Sequence, residues 1–238
     1  MFYNTVEPEF LTITQKLKSF KGTDRINKMM VIEKILAAFL ENQYPGDGFL
    51  QGSREGSEPF EEIEPFKGKT KWNEIEASFL DQHGSALSFF SEAGFRFYLP
   101  AYLIADVQER LKFADPLFHL THGFSDEKVE HQVQGRTFVL RTGKTVFINP
   151  KRYGVATFYD YARYRLSIFT REEAAAIVDY LNYKSSRDEL GVEKKRISAA
   201  LESFWLERAE KAPTLDELKQ SMREQEEYLE AVRQENKM

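Results

Sequence analysis

Phe95-Arg96-Phe97-Tyr98-Leu99-Pro100-Ala101-Tyr102-Leu103-Ile104-Ala105 sets four aromatic side chains around one proline. Proline has a fixed φ and no N–H, so it suits the first turn of a helix and pushes the preceding residue toward extended backbone. Leu99 therefore reads as a boundary. Beyond it Ala101, Ile104, Val107 and Leu111 recur at three- and four-residue steps among Asp106, Glu109, Arg110 and Lys112. That spacing predicts a helix over about 100–113 with one buried face. Aromatic side chains carry roughly 150–250 Å2 of surface each, enough to make this segment a folding centre.

On the N-terminal side, Asp24 can cap a helix bearing Ile26, Met29, Met30, Ile32, Ile35, Leu36, Phe39 and Leu40. A deeply packed helix over 24–42 is expected, ended by the turn-forming Tyr44-Pro45-Gly46-Asp47-Gly48. An acidic run from Glu58 to Glu64 and Pro65-Phe66-Lys67-Gly68 follow, and Trp72 opens a further helical pattern through Ile75, Phe79 and Leu80. On the C-terminal side, Asp115-Pro116 starts a short helical turn and 123–135 reads as a polar loop. Thr137–Leu140 and Thr145–Ile148 are β-rich runs separated by Arg141-Thr142-Gly143-Lys144, so one hairpin is expected at about 137–149. Thr170 and Glu173 have capping-box spacing ahead of Ala174, Ile177, Val178 and Leu181, which predicts a helix over 171–183.

The last fifty residues are highly charged, and Ala212-Pro213 punctuates them. Ser186 with Glu189, and Thr214 with Glu217, again show capping-box spacing, so a helical hairpin is expected. Leu215, Leu218, Met222, Gln225, Leu229 and Val232 alternate three- and four-residue steps, a coiled-coil-like seam with one polar position. Leu190, Ile197, Leu201 and Phe204 offer a stripe to face it. The pair reads as an intramolecular arm laid on the body, or as a surface for self-association or another protein through 187–236. The organisation expected is a main helical domain over 1–184 and a C-terminal extension over 185–238.

With 238 residues, 42% of them hydrophobic, the chain can build a sizeable core. It has no cysteine, which excludes disulfides and thiolate metal sites. Its first residues lack a basic run followed by an apolar one, and its longest apolar stretch is too short to span a bilayer, so a cytoplasmic protein without membrane contact is expected. Gly68-Lys69-Thr70 and Gly143-Lys144-Thr145 resemble the end of a phosphate loop, but Ile63 and Phe138 stand where its first glycine is required. His119, His122 and His131 lie close together beside carboxylates, without the spacing of a metal site. No metal and no cofactor are expected.

The net charge of −5 hides a local excess. Between Arg136 and Arg165 stand seven basic residues and one acid, Asp160, with Phe138, Phe147, Tyr153, Phe158, Tyr159, Tyr161 and Tyr164 among them. Basic groups with aromatic platforms can neutralise phosphates and stack bases, so nucleic acid is one reading of 136–165. Burial against the acidic remainder, with Arg163 and Arg165 paired to carboxylates, is another. Arg152, Tyr153, Arg163 and Arg165 are the candidate binding residues here. A second candidate group is Tyr44, Asp47, Arg96, Tyr98 and Tyr102, which would line a Tyr/Arg pocket for a small or phosphate-bearing ligand if their side chains converge.

Ile35-Leu36-Ala37-Ala38-Phe39, Tyr44-Pro45-Gly46-Asp47, Phe66-Lys67-Gly68-Lys69 with Trp72, Phe95 to Ala105, and Phe169-Thr170 with Glu172, Glu173, Ala176, Ile177, Tyr180 and Leu181 together resemble a family of bacterial proteins of unknown function. The resemblance covers about 26–184 and implies a bacterial, cytoplasmic, mainly helical protein, and it carries no catalytic residues. The expected fold is mainly α: an irregular helical domain with one inserted β-hairpin and a C-terminal helical hairpin. The expected role is a non-enzymatic protein-interaction or accessory module using exposed aromatic and basic residues near the hairpin; the alternatives are an enzyme or phosphate-ligand binder using the Tyr/Arg pocket, or nucleic-acid binding through 136–165.

Overall fold

Ser91 accepts the Gly94 N–H at 3.0 Å through its Oγ and so caps a 16-residue helix, Glu92–Val107, that runs through Pro100. In a computed structural model of the protein, which describes residues 8–125, 127–133, 135–142 and 157–235, this helix is the centre of the fold. The helix expected to start at Pro100 thus begins eight residues earlier. A proline inside a helix removes the donor for the carbonyl four residues back, here that of Arg96. Asn42 makes good the loss: its Nδ2 donates to the Arg96 carbonyl at 3.1 Å. Asn42→Ala should leave that part-buried oxygen without a partner and lower stability by about 1–3 kcal/mol, read as a shift in the urea midpoint with an unchanged slope.

Chain order around this helix is as follows. Helix α1 is Pro8–Phe39, α2 Glu58–Ile63, α3 Ala77–Gln82 and α4 Ala86–Phe89. The central helix is α5, and α6 is Pro116–Thr121, capped by Asp115. Strands β1, Glu127–Val133, and β2, Arg136–Thr142, pair antiparallel, and α7 is Phe158–Leu166. Helix α8 spans Arg171–Arg187, α9 Lys194–Ala200 and α10 Leu206–Lys211, the last two joined through a π-helical turn, Leu201–Trp205. Helix α11 is Leu215–Glu235.

Phe95, Tyr98, Leu99, Tyr102 and Leu103 of α5 are fully buried. Val31, Ile35 and Phe39 of α1 meet the same core, as do Ile177, Tyr180 and Leu181 of α8. Below α5 the Phe66 ring sits 4.9–5.0 Å from the rings of Phe79, Phe90 and Tyr98, three of them edge-on contacts. Ile197, Ala200, Phe204 and Trp205 belong to this core too. Trp205 Nε1 donates to the Leu120 carbonyl at 2.8 Å, which ties the π turn to α6.

The helix expected over 24–42 starts at Pro8, and Asp24 lies within it, bonded to Arg187 rather than capping. Its apolar face is as wide as the sequence implied, but half of it is outside the core. Ile26, Met29, Met30, Leu36 and Leu40 are 59%, 51%, 50%, 38% and 72% exposed.

The inserted hairpin is present but shifted. Val133 pairs with Arg136 and Glu127 with Thr142, so the chain reverses between Val133 and Arg136, beside Gly135 with its φ of 73°, and not at 141–144. The segment 127–133, read as a polar loop, is the first strand; Lys128, Glu130 and Gln132 alternate with Val129 and Val133 along it, a period-2 pattern diluted by charge. Thr145–Ile148 lie outside the described residues.

The C-terminal pair of helices is found with its link at 212–214, and Thr214 and Glu217 complete the second capping box. Ser186, by contrast, sits inside α8, with Oγ on the Tyr183 carbonyl, and the first helix of the pair begins at Lys194. Its apolar stripe turns to the body and not to α11. Leu190 is exposed, Ile197 and Phe204 are buried, and from Lys219 to Glu230 every α11 side chain is exposed.

Candidate functional site

The turn after α1 brings Tyr44 and Asp47 onto the loop that carries Gly68. Tyr44 donates its hydroxyl hydrogen to Asp47 Oδ1, and the Gly68 N–H donates to the same oxygen at 2.9 Å. Gly68 has a φ of 72°, the left-handed region that a Cβ would strain, so the loop needs glycine where the carboxylate grips it. Tyr98 comes up from α5 beneath this turn and donates to the Phe66 carbonyl at 2.9 Å, with the Lys69 carbonyl 3.0 Å away. Three of the five candidates in this group therefore meet around residues 66–69.

Arg96 and Tyr102 do not join them. The Arg96 guanidinium bonds both carboxylate oxygens of Glu173, Nε lying 3.0 and 2.9 Å from them. Glu173 is itself the capping residue of α8 and receives the Thr170 N–H at 2.8 Å. Tyr102, fully buried, donates to the His83 carbonyl at 2.7 Å.

The electrostatics follow from these partners. Burial, then the bond to Asp47, pushes the Tyr44 phenol up to about 12. The Tyr44 and Gly68 hydrogen bonds hold the Asp47 carboxyl below its usual value. Burial drives Tyr98 and Tyr102 well above the ordinary phenol range. Each phenol stays protonated at neutral pH and each is engaged with a carbonyl or carboxylate. These bonds fix the 66–69 backbone.

In the second candidate group, Arg165 is half-buried with Nη2 on the Leu87 carbonyl at 2.6 Å and its guanidinium 4.5 Å from the Phe95 ring centre. Arg163 reaches the Tyr159 hydroxyl at 3.1 Å and the Ser203 carbonyl at 3.2 Å. Among the described residues their hydrogen bonds go to carbonyls and hydroxyls rather than to the carboxylates expected, although Glu92 acts on Arg165 through its charge. Arg152 and Tyr153 lie outside the described residues. His119 is half-buried beside Arg165, and desolvation, then Arg165 and His122, depresses it to about 3, so its imidazole is neutral. Among the described residues no three His, Asp or Glu side chains are grouped to hold a metal ion.

Two open grooves flank these clusters. One, of about 430 Å3, runs past Gly68, Lys69, Thr70, Lys71, Glu74 and Phe79. Its cations have partners: Lys69 Nζ lies 4.5 Å over the Phe79 ring and Lys71 bonds Glu74 at 2.7 Å. The other, of about 780 Å3, is lined by Arg54, Glu55, Glu58, Glu92, Tyr161 and Tyr164 among others. Neither lining contains a histidine.

Sequence reasoning missed Asn42 and Glu173 as the partners of Arg96, and the solvent-facing stripe of α1. The stripe had a detectable sign: Ile26, Met30, Ala37 and Leu40 point one way at 100° per residue while Val31, Ile35 and Phe39 point the other, wider than one buried face requires.

Fold and site together define a mainly helical protein in which Tyr44, Tyr98, Tyr102 and Arg96 are each bonded to other parts of the same chain. Residues 28–122, from the second half of α1 through α6, match the model of a family of unknown function (DUF6714). That range contains the Tyr44-Pro45-Gly46-Asp47, Phe66-Lys67-Gly68-Lys69 and Phe95–Ala105 segments, while Phe169–Leu181 falls beyond it. No curated protein and no solved structure matches the chain. Among the described residues no helix is long and apolar enough to cross a membrane.

Proposed function

We propose that the protein is a non-enzymatic interaction or accessory module, and that it engages another protein through the outer face of α1. The observation that carries this reading is the exposed stripe of Ile26, Met29, Met30, Leu36 and Leu40, opposite the face that fills the core. Four large apolar groups along one helix and a fifth, Leu40, just past its end exceed the scattered exposure normal for a surface, and contiguous apolar patches mark interaction sites. Methionine suits such a face, because its unbranched, polarisable side chain adapts to a partner's contour. One acid, Glu33, interrupts the stripe, and Arg25 and Lys34 border it. That is the apolar-core, polar-rim plan of a protein-binding surface. The engagement of Tyr44, Tyr98, Tyr102 and Arg96 inside the body supports the same reading over a Tyr/Arg ligand pocket.

The test compares the intact chain with M29E/M30E in affinity capture from lysate of the source cells, followed by mass spectrometry. Both positions are half exposed, so the variant should unfold within about 0.5 kcal/mol of the parent. A protein retained by the parent and lost from M29E/M30E is the expected result. Identical sets of captured proteins would refute the α1 surface.

A further inference from the structure

Helix α11 is an amphipathic helix whose apolar side is left largely uncovered among the described residues. Leu215 and Leu218 are half-buried, and Met222 is 62%, Tyr228 68% and Leu229 43% exposed. Helices of this kind draw most of their stability from packing that face. We infer that α11 pairs antiparallel with α11 of a second copy of this chain. This surface is distinct from the α1 stripe.

Charge decides both the occupant and the direction. Leu215, Met222 and Leu229 take the first core position of each heptad, and Leu218, Gln225 and Val232 the second. An antiparallel pair centred between Arg223 and Glu224 sets Leu215 against Val232, Leu218 against Leu229 and Met222 against Gln225 of the other copy, so every core position is filled. The flanking positions then bring Lys219 beside Glu226 of the other copy, twice by symmetry. Lys219 also meets Glu41 in its own chain, and an ammonium group with three donors can serve both. Slipping the pair by one heptad toward the C-terminus would set Glu226 against itself and Lys219 against Arg233. A parallel pair sets Ser221 against Glu226 and Tyr228 against Arg233, stacks Gln225 on Gln225, and makes no opposite-charge contact. The antiparallel, centred register is the one in which shape and charge agree.

The absence of native cysteine makes the register directly readable. In the full-length chain, L218C alone and L229C alone should stay uncrosslinked under mild oxidation, since two copies of position 218 lie about 16 Å apart along the axis. An equimolar mixture of the two should give a disulfide-linked dimer joined 218 to 229. By sedimentation equilibrium the parent should dimerise as concentration rises, K219E should weaken the dimer about fivefold, and K219E/E226K should restore it. A monomer at all concentrations overturns the inference, as do self-crosslinking of either single variant and a charge swap that fails to rescue. L218C and L229C leave the α1 stripe untouched and M29E/M30E leaves α11 untouched, so each proposal can fail without the other.

Discussion

Arg96→Met is expected to cost about 3–5 kcal/mol at neutral pH, because it strands a carboxylate of which 2% of the side chain is exposed. Burial already holds Glu173 above the ordinary carboxyl range, against the opposing pull of Arg96. A folded-state value raised above the unfolded one means that the native protein binds the proton more tightly. Stability from this group is fully present below the unfolded value, and it is lost as pH rises through the folded value. Removing Arg96 raises the folded value further, so the gap between variant and parent should be large at pH 8 and shrink toward pH 5. The other carboxylates titrate in both proteins and cancel in the difference. R96M/E173Q should recover most of the loss, since a neutral amide oxygen can still accept the Thr170 N–H. Urea unfolding of the three proteins across this pH range checks the expectation, and a loss equal at pH 5 and pH 8 would contradict it.

Trp205→Ala carries the second large effect, about 3–5 kcal/mol. The indole is fully buried, 5.0 Å from the Phe204 ring and 5.8 Å from that of Phe169, with Nε1 on the Leu120 carbonyl. Truncation opens a cavity where the π turn meets α6 and α8 and frees a buried carbonyl. W205F separates the two costs: it keeps most of the packing and should lose about 1–3 kcal/mol through the unpaired oxygen. Because the chain has two tryptophans, W205F also leaves Trp72 as the lone fluorescent reporter for both unfolding curves. A W205A protein within 1 kcal/mol of the parent would show that the C-terminal helices contribute little to the core.

Features set by neighbouring residues were legible in the sequence, and features set by distant ones were not. The Thr170–Glu173 box and the helix it starts follow from side chains three residues apart, and both are found. Pro100 was read as a helix start because local rules say so; it lies mid-helix because Asn42, 54 residues from Arg96, supplies the missing donor. Arg96 stands out in the sequence, but its partner Glu173 is 77 residues away and is spoken for locally by its capping role. One carboxylate does both. The strand at 127–133 was lost because charged residues mask its alternation. For α1 the apolar content was visible and its division between core and solvent was not, since hydrophobicity alone does not distinguish a buried face from one awaiting a partner.

Arg96 also sets how motion passes through the molecule. Its carbonyl is held by Asn42, three residues beyond the end of α1, and its guanidinium by the first turn of α8. Pro100 cuts the hydrogen-bond ladder of α5 at this carbonyl, so the bond most easily opened in the central helix belongs to the tether that leaves α1. A partner that tilts α1 pulls on that tether, and the opening would register as faster amide exchange in the middle of α5, far from the surface touched. The proline in the core would make a movement of the first helix audible at the centre.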